Sequence, residues 1–300
     1  MRVLITGAAG DFGRDLAPLL AQKHEVVCTD ARPLKTPYAF HQADLCDVTE
    51  VTGLCDGVDA VVHLAALLPK DQYRTQAYIG ANVEAVAFLA EEAIRASVKR
   101  FIYVSTVWAT GHGVGEGSFR LNEASPARPV CMYGVTKGLG ETMAEYYSAN
   151  HGLSTVVLRA TGYLRHEAFG LDGEIDWEQA DLPSVAARMT NAGAKIYNPG
   201  DLGPIFEGAL AMPNSAFERV LVGQTLPFSE ADEALCRAAP AAAWEQYYPG
   251  AAEFFVASGY QPPPLTHLYD NARSRALLGF EMQYDLGDVI SAWRLQQGSR

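Results

Sequence analysis

Five short apolar runs constrain this chain most, because each is too continuous for a half-exposed strand and too short for a buried helix. They are RVLIT (2–6), EVVCTD (25–30), DAVVHLAA (59–66), RFIYVST (100–106) and STVVLRAT (154–161), all rich in Val and Ile. Such runs suit strands covered on both faces, as in a parallel sheet. Between them lie stretches of helical period at 12–22, 73–96 and 133–150. Strand and helix alternate at the spacing of βαβ units, which predicts an α/β fold with a doubly wound parallel sheet.

After residue 161 the rhythm breaks into Gly- and Pro-rich sequence with short helical pieces. DLGPIFEGALAM (201–212) and RVLVGQ (219–224) predict one more helix and strand returning to the sheet. The expected division is a Rossmann-type sheet domain of 1–163 and 195–224, with 164–194 and 225–300 as a smaller, interwoven substrate-binding cap. A ligand belongs between the two. QPPPLTHLYD (261–270) is too proline-rich for a regular element and predicts an extended connection.

Composition excludes several classes of function. The 300 residues are 49% hydrophobic, enough for a substantial core. A net charge of −12 without a basic run offers no footing for nucleic acid or an anionic membrane. The five cysteines (Cys28, Cys46, Cys55, Cys131 and Cys236) show no ligand spacing and no disulfide framework, so no metal is expected and reduced thiols are. The opening MRVLITG leads from one basic residue into a short strand, and no apolar run approaches the ~20 residues of a bilayer span. A cytoplasmic protein is the expectation.

Gly7, Gly10 and Gly13 fall between the first strand and the first helix in ITGAAGDFGRDL. Glycines there permit a tight turn, close approach of backbone to a pyrophosphate, and helix-to-strand packing without an intervening Cβ. The helix N-terminus adds free N–H groups and partial positive charge. Asp30 closes the second strand, where a carboxylate can accept from adenosine ribose hydroxyls and repel a 2′-phosphate. NAD is thereby favoured over NADP, although the nearby Arg32 offers a partner to that phosphate; Asp30 as a plain turn residue is the alternative. Asp11, inside the loop, must point outward or cap the helix.

In MYGVTKGLGE (132–141), Tyr133 and Lys137 lie one turn apart on one side of a helix. Met132, Val135, Leu139, Met143 and Tyr146 form an apolar stripe beside them, expected to be the packing face. An isolated Tyr-x-x-x-Lys is most simply a surface pair, so its meaning depends on the surrounding motifs.

Those motifs, in order, are Gly7-x-x-Gly10-x-x-Gly13, Asp30, ADL (43–45), HLAA (63–66), Asn82, ST (105–106) and YGVTK (133–137). The set resembles the extended short-chain dehydrogenase/reductase family, which includes the NAD-dependent epimerases and dehydratases. The resemblance implies that Thr106, Tyr133 and Lys137 are catalytic, with Thr106 preferred over Ser105 as the hydroxyl that positions the substrate oxygen. It implies NAD contacts from Gly7, Gly10, Phe12, Gly13, Asp30, Asp44, Leu45, Leu64, Ala65, Ala66, Asn82, Tyr133 and Lys137. Asp44 and Leu45 would meet the adenine, and Asn82 the ribose beside the nicotinamide. His63 is read as a core histidine. A tyrosine near pKa ~10 is a poor base, and the Lys137 cation is expected to favour its phenolate. Tyr133 would then take the hydroxyl proton as hydride passes to NAD.

Departures from the family pattern bear on the substrate. Thr106 is followed by Val107 and Trp108, where nucleotide-sugar dehydratases carry an acidic pair, so dehydration is disfavoured. The stretch RMTNAGAKIYNPGDLGPIFEGAL is short and lacks the arginine that helps such enzymes read a nucleotide. A free sugar, sugar acid or other polyol-like alcohol is the expected small-molecule substrate, met by Thr106, Val107, Trp108 and Arg165. Arg165 either holds an anionic group bidentately or is a solvated surface arginine. The remaining readings are a nucleotide-sugar epimerase that retains NAD and a non-catalytic Rossmann sensor. A homodimer is expected through the helices near 73–96 and 133–150, which carry apolar residues on more than one face and which pair in related extended enzymes.

Overall fold

The computed structural model describes residues 1–69, 74–111, 119–190, 196, 198–214 and 217–298. Its central sheet contains β1 (Arg2–Thr6), β2 (Glu25–Asp30), β3 (Ala39–Gln42), β4 (Ala60–His63), β5 (Arg100–Thr106), β7 (Thr155–Ala160) and β8 (Phe217–Val222). All pairings within it are parallel, in the order β3-β2-β1-β4-β5-β7-β8. The chain runs outward from β1 to β3 and then returns to lay β4 against the other side of β1. That reversal opens a crevice at the C-terminal ends of the strands, where open α/β sheets bind their ligands.

The five apolar runs form sheet strands because both faces are covered. On one face, Val3, Ile5, Val62, Ile102 and Val220 pack against α1 (Asp11–Leu20) and, further along the chain, α7 (Leu202–Ala211). On the other, Leu4, Val61, Phe101 and Val157 pack against α4 (Ala85–Arg95) and α5 (Met132–His151). The short α2 (Val48–Val51) caps its first turn with Asp47, which accepts from Thr49 N at 2.8 Å. The stretch expected as one helix over 73–96 consists of α3 (Thr75–Ile79), a single π turn (Gly80–Glu84) and α4. A π turn of this kind shifts the register of a helix face and often marks a functional position; here it carries Asn82.

A third apolar cluster lies away from the sheet and includes Phe169, Trp244, Phe254, Phe255, Leu265 and Leu286. Its helices are α6 (Leu182–Met189), α8 (Glu233–Ala238), α9 (Pro240–Tyr247), α10 (Ala251–Ser258) and α12 (Leu286–Gly298), with α11 (Ala272–Leu278) running back beside β8. The expected boundary at 194/195 falls outside the described residues. The segment 261–270 is mostly irregular, but Leu268–Tyr269 forms β9 and pairs in parallel with β6 (Arg120–Leu121). Among the described residues no helix is long and apolar enough to cross a membrane.

Helix α5 overturns the packing expectation. Val135, Leu139 and Tyr146 are 37%, 48% and 51% exposed, so much of the apolar stripe faces outward. The buried face is Gly134, Thr136, Lys137, Gly140, Glu141, Ala144, Tyr147 and Ser148. Small residues decide this orientation: a Cβ on Gly140 would collide with the Tyr103 hydroxyl and the Asn82 carbonyl. The helix lies too close to β5 and the π turn for a larger side to face inward.

Candidate active site

The loop between β1 and α1 sits at the crevice. Gly7 adopts φ +70°, and a Cβ there would come within 2.6 Å of Ala65 N, so the turn and the strand-β4 loop touch backbone to backbone. A Cβ on Gly13 would meet Ala8 Cα at 2.6 Å, which explains the close seat of α1 on the loop. Gly10 differs, since its nearest contacts would be Gly7 O at 3.3 Å and an Arg32 nitrogen at 3.9 Å. Its side is less crowded than those of Gly7 and Gly13, and a pyrophosphate would approach the free N–H groups of the first helical turn here. Asp11 is exposed. These residues fit a dinucleotide.

Asp30, 8% exposed, ends β2 beside this loop. Its Oδ2 accepts from Ala9 N at 2.9 Å, and its Oδ1 accepts from Arg32 N at 2.9 Å and Arg32 Nε at 3.1 Å. Burial opposes the charge on Asp30, yet the Arg32 and Ala9 donors outweigh it and hold the carboxyl below its usual range. Arg32 is therefore tied to Asp30 while its side chain stays largely exposed. Asp44 is exposed, Leu45 is buried, and Leu64, Ala65 and Ala66 remain half-buried along the crevice wall. Phe12 packs on Tyr163 and Phe206, with ring centroids 5.0 and 5.7 Å away.

Asn82 is fully buried, and its amide clamps neighbouring elements: Oδ1 accepts from Leu67 N at 2.8 Å, while Nδ2 donates to Leu67 O at 3.2 Å and Thr136 Oγ1 at 3.1 Å. Within the protein this amide ties the strand-β4 loop to α5. Tyr78 supports the same loop by donating to Leu68 O at 3.0 Å. His63 Nδ1 shares a 2.7 Å hydrogen bond with Thr6 Oγ1, while Nε2 has no hydrogen-bond partner among the described residues. Burial, reinforced by Lys137, pushes His63 down to about 3, so the imidazole is neutral.

Thr106 ends β5, is 5% exposed and hydrogen-bonds with the Tyr133 hydroxyl. Ser105 points the other way and donates to Glu141 at 2.6 Å, which leaves Thr106 as the hydroxyl beside the phenol. Lys137 is 1% exposed, with Nζ 4.1 Å from the Tyr103 ring centroid. Burial raises Tyr133 to about 12 against the opposing Thr106 hydrogen bond. Burial also lowers Lys137 to about 7, with Glu141 opposing. In the protein without cofactor desolvation dominates both groups and Tyr133 is a phenol; the expected shift toward phenolate draws on the positive charge of a bound nicotinamide as well as on Lys137.

Val107, Trp108 and Arg165, three of the expected substrate contacts, each have partners within the protein. Val107 is completely buried against Leu221 and Tyr269, and Trp108 packs on the same cluster while staying half-buried. Arg165 donates to Asp15 on α1 at 2.9 Å, beside a Tyr163 hydroxyl that donates to the same carboxylate at 2.5 Å. Asp15 supplies the partner that the residues around Arg165 do not reveal. Sequence reasoning also missed Tyr103, Glu141 and Arg159; the spacing of Glu141, one turn beyond Lys137, was the available signal.

The NAD dependent epimerase/dehydratase family model matches residues 3–203, more than half of the chain. The chain belongs to this family. It is 33% identical over 167 residues to a uronate dehydrogenase of Pseudomonas syringae, a match covering 53% of this chain and 58% of that protein. The matched stretch thus spans little more than half the length of that relative. An L-arabinose 1-dehydrogenase (NAD(P)(+)) of Haloferax volcanii is 30% identical over 218 residues, covering 67% of this chain and 78% of that one. The fold is similar to a short-chain dehydrogenase/reductase superfamily protein from Agrobacterium tumefaciens with bound NAD, at a TM-score of 0.69 and 22% identity over 100% of this chain and 99% of that one.

The buried lysine makes a pH prediction. An unfolded Lys137 titrates near 10.5 and the folded one near 7, so between these values the unfolded chain binds more protons and stability rises with pH. In thermal unfolding of cofactor-free protein, the stability of wild type relative to Lys137→Met, a difference in which the ionisation of unfolded thiols cancels, should gain on the order of 1–2 kcal/mol from pH 7 to about 8.5. An identical pH dependence in the two proteins would refute the assignment.

Proposed function

We propose that this chain is an NAD-dependent dehydrogenase oxidising a secondary hydroxyl of a small sugar or sugar acid. The observation that carries the proposal is the convergence of Thr106, Tyr133 and Lys137 beside a glycine loop at the sheet's switch point. The similarity to uronate and L-arabinose 1-dehydrogenases supports a small carbohydrate as the substrate class. We assign cofactor contacts to the glycine loop with Phe12, to Asp30, Asp44 and Leu45, and to the wall of Leu64, Ala65 and Ala66. The substrate lies between the sheet domain (1–163 and 195–224) and the cap (164–194 and 225–300).

In this reading the bound NAD supplies the hydride acceptor. Thr106 holds the substrate oxygen by hydrogen bonding, and Tyr133 Oη takes the hydroxyl proton as the carbon becomes a carbonyl. Lys137, when charged, stabilises the phenolate that Tyr133 must become before each proton transfer. Since burial holds Tyr133 as a phenol, oxidation runs faster as pH rises and reduction as it falls. The same three residues would serve an epimerase that retains its NAD. Protein purified with bound NAD that yields no NADH from uronates or aldoses would favour that second reading and overturn the first.

The outward apolar face of α5, with Val135, Leu139 and Tyr146, supports a homodimer formed through α4 and α5. Buried thiols at Cys28, Cys55 and Cys236 are in keeping with a cytoplasmic setting.

Three measurements test these assignments. Tyr133→Phe should keep the fold and NAD affinity while turnover falls by about 10²- to 10⁴-fold; near-normal turnover with the substrate found in the screen would end the mechanism. Asp30→Ala should release Arg32 and remove a carboxylate that repels a phosphate by at least ~1 kcal/mol, improving NADP binding relative to NAD about fivefold or more. Equal cofactor preference before and after the change would contradict the role of Asp30. Sedimentation should show twice the 32.4 kDa chain mass, and Leu139→Glu should return it to monomer; a wild-type monomer at micromolar concentration rules out the dimer.

A further inference from the structure

We propose that Glu141 is a positioning residue for this reaction: its carboxylate, clamped by Ser105, Arg159 and Arg219, governs the charge on Lys137 and ties helix α5 to the strand that presents Thr106. The proposal rests on the role of Lys137 in the dehydrogenase reading.

Glu141 lies one turn beyond Lys137 on the buried face of α5 and is 3% exposed. Three side chains, one from each of three strands of the sheet, converge on it. Ser105 Oγ on β5 donates to Oε1 at 2.6 Å, and Arg159 on β7 donates through Nε to Oε1 at 3.0 Å and through a terminal nitrogen to Oε2 at 2.8 Å. Arg219 on β8 places Nε 2.9 Å from Oε2, and its other arm reaches Glu145 at 3.2 Å. Because Ser105 directly precedes Thr106, the clamp locks the strand end that carries one reacting-site hydroxyl to the helix that carries Tyr133 and Lys137.

The surroundings of Lys137 make Glu141 electrically decisive. The Lys137 ammonium lies over the ring of Tyr103, a phenol that burial keeps protonated. His63 on β4 stacks on that ring at 5.6 Å and is neutral, and Tyr133 on the same helix is a neutral phenol. Among the described residues Glu141 is the acid whose field acts on Lys137. Two guanidiniums share that carboxylate, so the field at Lys137 is a balance: removing Glu141 disfavours the ammonium, and removing Arg219 leaves Glu141 less neutralised and favours it. A purely structural clamp has no such sign.

The test is thermal unfolding of cofactor-free protein between pH 6 and about 9 for wild type, Glu141→Gln and Arg219→Gln, each with and without Lys137→Met. The part of the pH dependence that Lys137→Met abolishes reports lysine ionisation, and it should move by on the order of one pH unit toward lower pH in Glu141→Gln and toward higher pH in Arg219→Gln. In parallel, kcat of Glu141→Gln should fall at least tenfold at neutral pH while sugar KM changes less than threefold. Shifts of the same sign in both variants, or none, overturn the proposal. If Glu141→Gln does not fold, Arg219→Gln decides: an upward shift supports the proposal, and no shift or a downward one overturns it. The thermal readout needs neither substrate nor cofactor, so failure of the dehydrogenase reading and failure of this inference give different results.

Discussion

Helix α5 buries its charged side and exposes much of its greasy one, and the neighbouring elements are arranged to make that tolerable. A lysine and a glutamate under 5% exposed would be prohibitive without partners, because desolvating an ion costs several kcal/mol. Glu141 meets that demand through hydrogen bonds from β5 and β7 and an ion pair with Arg219 on β8, while Lys137 finds the Tyr103 ring and the field of Glu141. The strands must lie in the observed order for these groups to converge. The crossing of α5 over the sheet is therefore an electrostatic arrangement as well as a packing one, and it leaves Val135, Leu139 and Tyr146 facing outward.

The cofactor side of the crevice is governed by close approach of backbone. Gly7 brings the first turn against Ala65, Gly13 seats α1 on the loop, and Gly10 lies beside the Gly7 carbonyl with less crowding than either. Polar ties then hold the walls: Asp30 accepts from Ala9, and Asn82 joins Leu67 to Thr136 on α5. The segment after β7 adds a connection from above, where Tyr163 packs on Phe12 and Arg165 pairs with Asp15. The site thus gathers rigid elements from both sides of the switch point, which is the preorganisation that a positioned hydroxyl and proton carrier require.

Much of the sheet was legible because a strand buried on both faces needs a continuous apolar run. The edge strand β3 escaped, since Ala39–Gln42 is largely exposed and has no such run. The cap helices escaped because they are short and interrupted by Pro and Gly, and their apolar faces meet only in three dimensions, as when Phe228 packs on Trp244.

What the sequence determined by itself was the alternation of elements, the glycine turn and the spacing of Thr106, Tyr133 and Lys137, because these depend on neighbours within a turn or a strand. The orientation of α5, the clamp on Glu141 and the capture of Arg165 by Asp15, 150 residues away, were decided by tertiary structure. Periodicity marks which side chains favour burial, but a buried charge goes where its partners are, and those partners come from distant strands. The same limit applies to Tyr133 and Lys137: their spacing reveals the pair, while the desolvation that sets their charges exists only once the crevice has closed around them.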